Sequence, residues 1–179
     1  MILAGTGHRP DKLGCEFDMR GPVSDALRAV TRTVLLREDP EEVVSGMALG
    51  FDMILAEEAI ELGFLVTAAI PFEGQESTWP WESQRRYRKI LDHDAVTLVV
   101  CAPGGHSNHK FDHRNRFMVG RAMSKPGARL LAAWDGSSGG TRNTVMYARE
   151  VDCPIIHLRP DLARTTWTIV EPKERDHER

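Results

Sequence analysis

The sequence predicts an α/β protein of three layers, with a mostly parallel sheet of about six or seven strands between two layers of helices. Three observations carry this expectation. Short apolar runs alternate with longer segments whose apolar residues recur at helical spacing, the pattern of βαβ units. Several of those runs end in glycine-bearing turns, where a strand would hand over to a helix. The length of 179 residues suits one domain with a sizeable core.

Taken in order, Ile2-Leu3-Ala4 starts the first strand, which ends at Thr6-Gly7-His8-Arg9-Pro10. A polar, glycine-containing stretch reaches Gly21, and Pro22 then suits the first turn of a helix. Val23, Ala26, Leu27, Val30 and Val34 keep the i, i+3, i+4, i+7 spacing, and Pro40 marks the end. Val43-Val44 begins a second strand, broken at Ser45-Gly46. The next helix contains Met53-Ile54-Leu55 and Ala59-Ile60, with Glu57, Glu58 and Glu61 on its solvated side and Gly63 as its C-terminal cap. Phe64 to Ile70 is the third strand, stopped by Pro71, and Pro80 opens a helix through Tyr87 and Ile90-Leu91. Ala95 to Cys101 is almost wholly apolar, so a fourth strand buried on both faces is expected. A polar loop and helix run from Pro103 to about Met123. Ala128 to Trp134 is the fifth strand, Thr141 to Glu150 a helix, and Pro154-Ile155-Ile156-His157-Leu158 a sixth short strand. Residues 1–170 form one domain, and 171–179, almost wholly charged, a frayed tail.

Formal net charge is −3 and the pI is near 6.2. That balance gives no long-range pull on a polyanion, so broad, non-specific nucleic-acid binding is disfavoured, although a local basic patch remains compatible with it. Cys15, Cys101 and Cys153 are an odd number at spacings unlike a disulfide framework. Free thiols in a reducing cytoplasm are therefore expected, with Cys101 buried. The apolar run after Met1 is too short for a signal peptide. No apolar stretch approaches the roughly 20 residues of a membrane span.

In an open parallel sheet, ligands bind beyond the carboxyl ends of the strands. The strand ends bring four segments to one edge: Gly5 to Pro10, Ser45 to Asp52, Pro71-Phe72-Glu73-Gly74-Gln75, and Trp134 to Thr141. Glycine lets the backbone approach a ligand, and amides at a helix start favour phosphate, yet any one such loop is just a turn about as often as not. Their common edge is the argument for a site. Thr6, Gly7, His8 and Arg9 offer a hydroxyl, a titratable donor and a guanidinium suited to phosphate, against a plain polar loop with Arg9 in a surface ion pair. Ser45, Gly46, Leu49 and Gly50 set amides against a phosphate, or form only a tight turn whose Asp52 complements the helix dipole. Asp135, with Gly136, orients ligand hydroxyls or caps its own turn, while Gly139, Gly140 and Thr141 form a phosphate loop. Pro71, Phe72, Gln75 and Trp79 approach a base or ribose from the third strand.

Other clusters read as structural. His106, His109 and His113 lack both a cysteine pair and a HExxH carboxylate, so neither a metal nor a required cofactor is expected. Trp79-Pro80-Trp81 with Arg85, Arg86, Tyr87, Arg88 and Lys89 mixes aromatics with positive charge, as single-strand binders do. The reading adopted is an amphipathic helix with aromatics over the sheet and charges in water.

Thr6 to Pro10, Ser45 to Asp52, Pro71 to Gln75, Arg114-Asn115 with Met118-Val119, and Trp134-Asp135-Gly136 followed by Gly139-Gly140-Thr141 together resemble the YpsA-like branch of the SLOG superfamily. That superfamily also holds the LOG phosphoribohydrolases and the DNA-processing protein DprA. The likeness runs from about Met1 to Glu150 in collinear motifs. It implies a Rossmann-like fold, a nucleotide or NAD-derived ligand such as ADP-ribose, a ligand-facing role for Arg114 and, by analogy, a homodimer or higher homo-oligomer. It does not imply one reaction.

The LOG enzymes have a Pro-Gly-Gly-x-Gly-Thr-x-x-Glu loop, whose glutamate joins an arginine in glycosidic cleavage. Here Gly139-Gly140-Thr141 precedes Arg142-Asn143-Thr144, with Thr144 where the glutamate is approached and Glu150 further along. The stretch from Gly120 to Gly127 also replaces a short acidic turn of the relatives. The functional expectation is therefore nucleotide binding at the sheet edge, with Arg9 and Arg114 as cationic partners. Two alternatives stand beside it: an N-glycosidase using Arg114 and Glu150, and DprA-like single-strand DNA binding. Ser-Gly-Met-Ala-Leu-Gly-Phe-Asp is similar to DprA's Ser-Gly-x-Ala-x-Gly-x-Asp segment.

Overall fold

A computed structural model describes residues 1–15, 19–160 and 166–172. The chain runs β1 (Ile2–Gly7), α1 (Pro10–Leu13), α2 (Pro22–Glu38), β2 (Glu42–Ser45), α3 (Phe51–Glu61), β3 (Leu65–Ile70) and α4 (Trp81–Leu91). It continues through β4 (Val96–Val100), α5 (Asn108–Met123), β5 (Arg129–Ala133), α6 (Gly140–Glu150), β6 (Ile155–Pro160) and β7 (Trp167–Val170). The strands form one sheet in the order β4-β3-β2-β1-β5-β6-β7. All neighbours are parallel except β6 and β7, which run antiparallel. The expected three-layer, Rossmann-like architecture is the one the chain adopts.

Side chains alternate across each strand, so each strand feeds two cores. Leu3, Val43 and Leu131 join the core under α2, α3 and α4, while Ile2, Ala4, Val44 and Leu130 join the core under α5 and α6. Both cores touch β1 at the centre of the sheet. The chain moves outward from β1 through β2 and β3 to β4, then crosses back along α5 to place β5 on the other side of β1. This reversal opens a crevice at the carboxyl ends of β1 and β5, the general ligand position of such sheets. Close approach of α3 to β1 depends on glycine, because a Cβ at Gly7 would run into the Phe51 side chain.

Helix α2 forms where its periodicity places it, with a buried stripe of Leu27, Thr31, Val34 and Leu35. Helix α3 departs from expectation on its acidic side. Glu58 is buried rather than solvated, because α3 is the middle helix of its layer and α2 packs against it. Its carboxylate accepts from Arg28 Nη1 at 2.9 Å and Arg32 Nε at 3.1 Å. Glu57 in turn accepts from Arg28 and Arg86, which ties α2, α3 and α4 together.

The apolar run Val96–Val100 is an edge strand, not a strand buried on both faces. Leu98 is 48% and Val100 38% exposed. No strand lies beyond β4 among the described residues, and α5 packs over β1, β2, β3 and β5 instead. Of the tryptophans at the start of α4, Trp79 packs edge-on against Tyr87 at 5.4 Å, whereas Trp81 stands in solvent at 64% exposure. Cys101 is half-buried rather than buried. The expected charged tail lies, from residue 173 onward, outside the described residues. Glu171, the first residue of that expected tail, is held by an ion pair with Arg37 of α2. Among the described residues no helix is long and apolar enough to cross a membrane.

Glu58→Ala should lower stability by about 1–2 kcal/mol, since it strands two arginines that remain partly hydrated. Urea unfolding measures this, and a change near zero would show that water replaces the pairs without loss.

Candidate functional site

At the crevice the loops after β1 and β5 are bonded to each other. The His8 backbone N–H donates to Ala133 O at 3.1 Å, and His8 Nε2 lies 2.6 Å from Asp135 Oδ1. The same Asp135 oxygen accepts from the Ser137 N–H at 2.8 Å. Slight burial opposes ionisation, but the hydrogen bonds from Ser137 and His8 hold the Asp135 carboxyl well below the usual carboxylate range. Asp135 thus caps its own turn and fixes His8 at once. Lys12, from α1, donates to Ser138 O at 2.7 Å and Ser137 Oγ at 3.1 Å, which sets an ammonium beside Gly139.

The β2–α3 loop forms the second wall. Ser45 Oγ donates to Asp52 O at 2.7 Å and accepts from the Met47 N–H at 3.2 Å. Met47 adopts a φ of 55° and Gly50 one of 102°. A side chain at Gly50 would strike the His8 carbonyl oxygen, and that same oxygen accepts from the Phe51 N–H at 3.2 Å. The β1 and β2 loops are therefore locked backbone to backbone. Neither α3, which starts after Gly50, nor α6, which starts after Gly139, has a side-chain cap. Phe51 N–H is taken by the His8 carbonyl, and the remaining first-turn amides of the two helices have no side-chain acceptor at the cap.

Beneath these loops lies a buried ion pair. Arg114 of α5 donates from Nη1 to Gly46 O and from Nε to Asn115 Oδ1 at 2.9 Å, and Nη1 is 3.8 Å from Asp52 Oδ2. Asp52 Oδ2 also accepts from the Ala48 N–H at 3.3 Å, while its Oδ1 is buried without a hydrogen-bond partner. Burial outweighs Arg114 and the backbone amides, and pushes the Asp52 carboxyl up to about 6. Burial likewise lowers the Arg114 guanidinium, with Asp52 opposing the shift. On the β3 side, Gln75 Nε2 donates to Met47 O at 3.1 Å and lies 3.3 Å from the Tyr87 hydroxyl. Phe72, His106 and Phe111 meet edge-on with centroids 5.6–5.7 Å apart.

The structure brings Thr6, Gly7, His8, Arg9, Ser45, Gly46, Leu49, Gly50, Asp52, Arg114, Asn115, Asp135, Gly136, Gly139, Gly140 and Thr141 to one crest, with Pro71, Phe72 and Gln75 beside it. Within that set the roles divide. Ser45, Gln75, Arg114 and Asn115 are buried and hold the loops, whereas Arg9 is exposed. Glu150 does not join them: it ends α6, about 13 Å along the axis from Thr141. Thr144 is buried and donates to Gly140 O at 3.1 Å.

His106 packs on the phenylalanines and His109 bonds Ser107 at 2.7 Å. Among the described residues no three His, Cys, Asp or Glu groups are placed to hold a metal ion. Sequence reasoning missed Lys12 and Met47. The only signal for Lys12 was its place just after the β1 loop, and nothing in a methionine announces a positive φ. A hollow of about 550 Å³ lies between α2, α3 and α4, and none of the crest residues named above lines it. Its Arg28, Arg85 and Arg86 are already paired with Glu57 and Glu82, so these offer a ligand little free charge.

Residues 20–168 match the family described as DNA recombination-mediator protein A. The chain belongs to this family. It is a SLOG-type domain of DprA-like kind, and the match begins after β1, so the β1 loop rests on geometry alone. An uncharacterized SPbeta prophage-derived protein of Bacillus subtilis, YoqJ, is 26% identical in a 145-residue alignment that covers 72% of this chain and 81% of that one. The DNA processing protein A of Streptococcus pneumoniae shares the fold with a TM-score of 0.63 at 18% identity, over 91% of this chain and 52% of that one. This chain thus spans about half the length of that relative. A molybdenum cofactor binding protein from Rippkaea orientalis matches with a TM-score of 0.54 at 17% identity, over 91% of this chain and 78% of that one.

The raised Asp52 carboxyl has a sign that can be checked. Its stabilising contribution is full below the ordinary value of 3.8 and is lost as pH rises through about 6. Between pH 4 and pH 7 the Asp52→Asn variant should therefore gain on the wild type by up to about 3 kcal/mol in denaturant unfolding. A gap that stays constant over that range would place an ionised Asp52 at both ends.

Proposed function

We propose that the crest binds a nucleotide or nucleotide-derived small molecule of the NAD or ADP-ribose kind. One observation carries the reading: two helix N-termini without side-chain caps, those of α3 and α6, open onto the same β1–β5 crevice, whose loops are already fixed by the His8–Asp135 bond. An anion placed there meets amide donors and positive helix ends. Arg9 is the exposed guanidinium for its phosphates, and Lys12 supplies a second cation at the Gly139 end. Arg114 acts from below, holding Gly46 and Asp52 in place. Three cysteines outside any disulfide suit a reducing, cytoplasmic setting. The proposal stops at binding, since Glu150 stands far from the crest.

A second reading, single-stranded DNA as the ligand, is favoured by the family match and by Trp81 exposed beside Arg85, Arg88 and Lys89. One structural neighbour is named for processing DNA and another for binding the molybdenum cofactor, so the fold hosts both kinds of ligand.

Titration calorimetry with AMP, NAD, ADP-ribose and adenosine tests the first reading. The phosphorylated compounds should bind and adenosine should bind more weakly, with Arg9→Ala costing about tenfold or more, the worth of a charge-assisted hydrogen bond. No heat from any of them with folded protein, or an unaffected Arg9→Ala, would overturn it. A mobility shift on an oligonucleotide that weakens steeply with salt would favour the second reading.

A further inference from the structure

We infer that the β4 edge is an isologous interface at which a second copy of this chain adds its own β4, antiparallel, to make one sheet continuous through both copies. The inference is independent of what the crest binds.

The backbone gives the first reason. Val66 N–H donates to Ala95 O, and Cys101 N–H donates to Ile70 O. The odd-numbered residues of β4 therefore turn their polar groups toward β3, and Val96, Leu98 and Val100 turn theirs to the open side. A two-fold axis at Leu98 makes the two Leu98 residues a hydrogen-bonded pair and sets each Val96 against the other copy's Val100. Every hydrogen-bonded pair in that register joins outward-facing residues, and Thr97 and Val99 form the non-hydrogen-bonded pairs between them, as an antiparallel ladder requires. The strand Val-Thr-Leu-Val-Val is thus self-complementary about its centre, a condition any isologous contact must meet.

Side chains and charge give the second reason. Through the register with β3, Leu98 and Val100 share the sheet face of Ala68 and Ile70, the α4 side, yet remain 48% and 38% exposed. Trp81, 64% exposed, stands at the start of that same helix. The edge also lacks the usual defences: β4 contains no charge and no proline, and no Asp, Glu, Lys or Arg occurs from Ala95 through His109. The opposite edge, β7, is only four residues long and is followed by the paired Glu171. With the axis at Leu98, the ladder pairs Val96 to Val100 of one copy with Val100 to Val96 of the other, and none of these residues is charged. No like charges meet across the ladder.

The test uses the full chain. Sedimentation of the wild type should give about twice the monomer mass of 20.1 kDa, with slow hydrogen exchange at the Leu98 and Val100 amides. Leu98→Lys opposes two ammonium groups across the axis and should weaken dimerisation by about tenfold or more while leaving the far-UV circular dichroism intact. A wild type that stays monomeric at high concentration overturns the inference. So does a dimer whose Leu98 and Val100 amides exchange freely, a readout that needs no variant.

Discussion

The loops over the sheet depend on one buried ion pair, Asp52 with Arg114. Removing both charges from water is costly, and their separation of 3.8 Å in a partly screened interior repays only part of that. Backbone partners supply the rest: Gly46 O accepts from the guanidinium, and the Ala48 amide donates to the carboxylate. The pair thus specifies one conformation of the Ser45–Gly50 turn more than it adds stability. It also explains why Gly46 bears no side chain, since a Cβ there would occupy the space of the guanidinium.

From that turn the organisation spreads outward. Asp52 sits in the first turn of α3, so fixing its carboxylate fixes where the helix begins and how its amides point. Phe51 bonds the His8 carbonyl, His8 bonds Asp135, and Asp135 shapes the turn that leads into α6. A chain of hydrogen bonds thereby connects the starts of two helices on opposite sides of the sheet. On the proposed reading, a ligand anion entering between them would meet donors already in position, which limits the ordering cost of binding. Arg9, the exposed cation at the rim, is free to adapt to the ligand.

The fold was largely legible in the sequence because strand and helix periods differ, and the turns after β1, β2 and β5 carry glycines. The crest residues were legible for the same reason, as topology sends all three turns to one edge. What periodicity does not carry is position within the sheet. Val96–Val100 reads as a buried strand because its residues are apolar, yet its place at the edge depends on which strands pair. Glu58 reads as solvated because it is charged, and only the packing of α2 on α3 reveals its two arginine partners. Lys12 reaches Ser138 across 126 residues of sequence, a contact local pattern does not encode.

The most direct test of the crest as a phosphate site is amide chemical-shift mapping during titration with ADP-ribose. Binding as described should move the amides at the starts of α3 and α6, residues 50–53 and 139–142, together with Arg9. Shifts confined to Trp81 and the Arg85–Lys89 stretch of α4, or no shifts at all, would contradict the account.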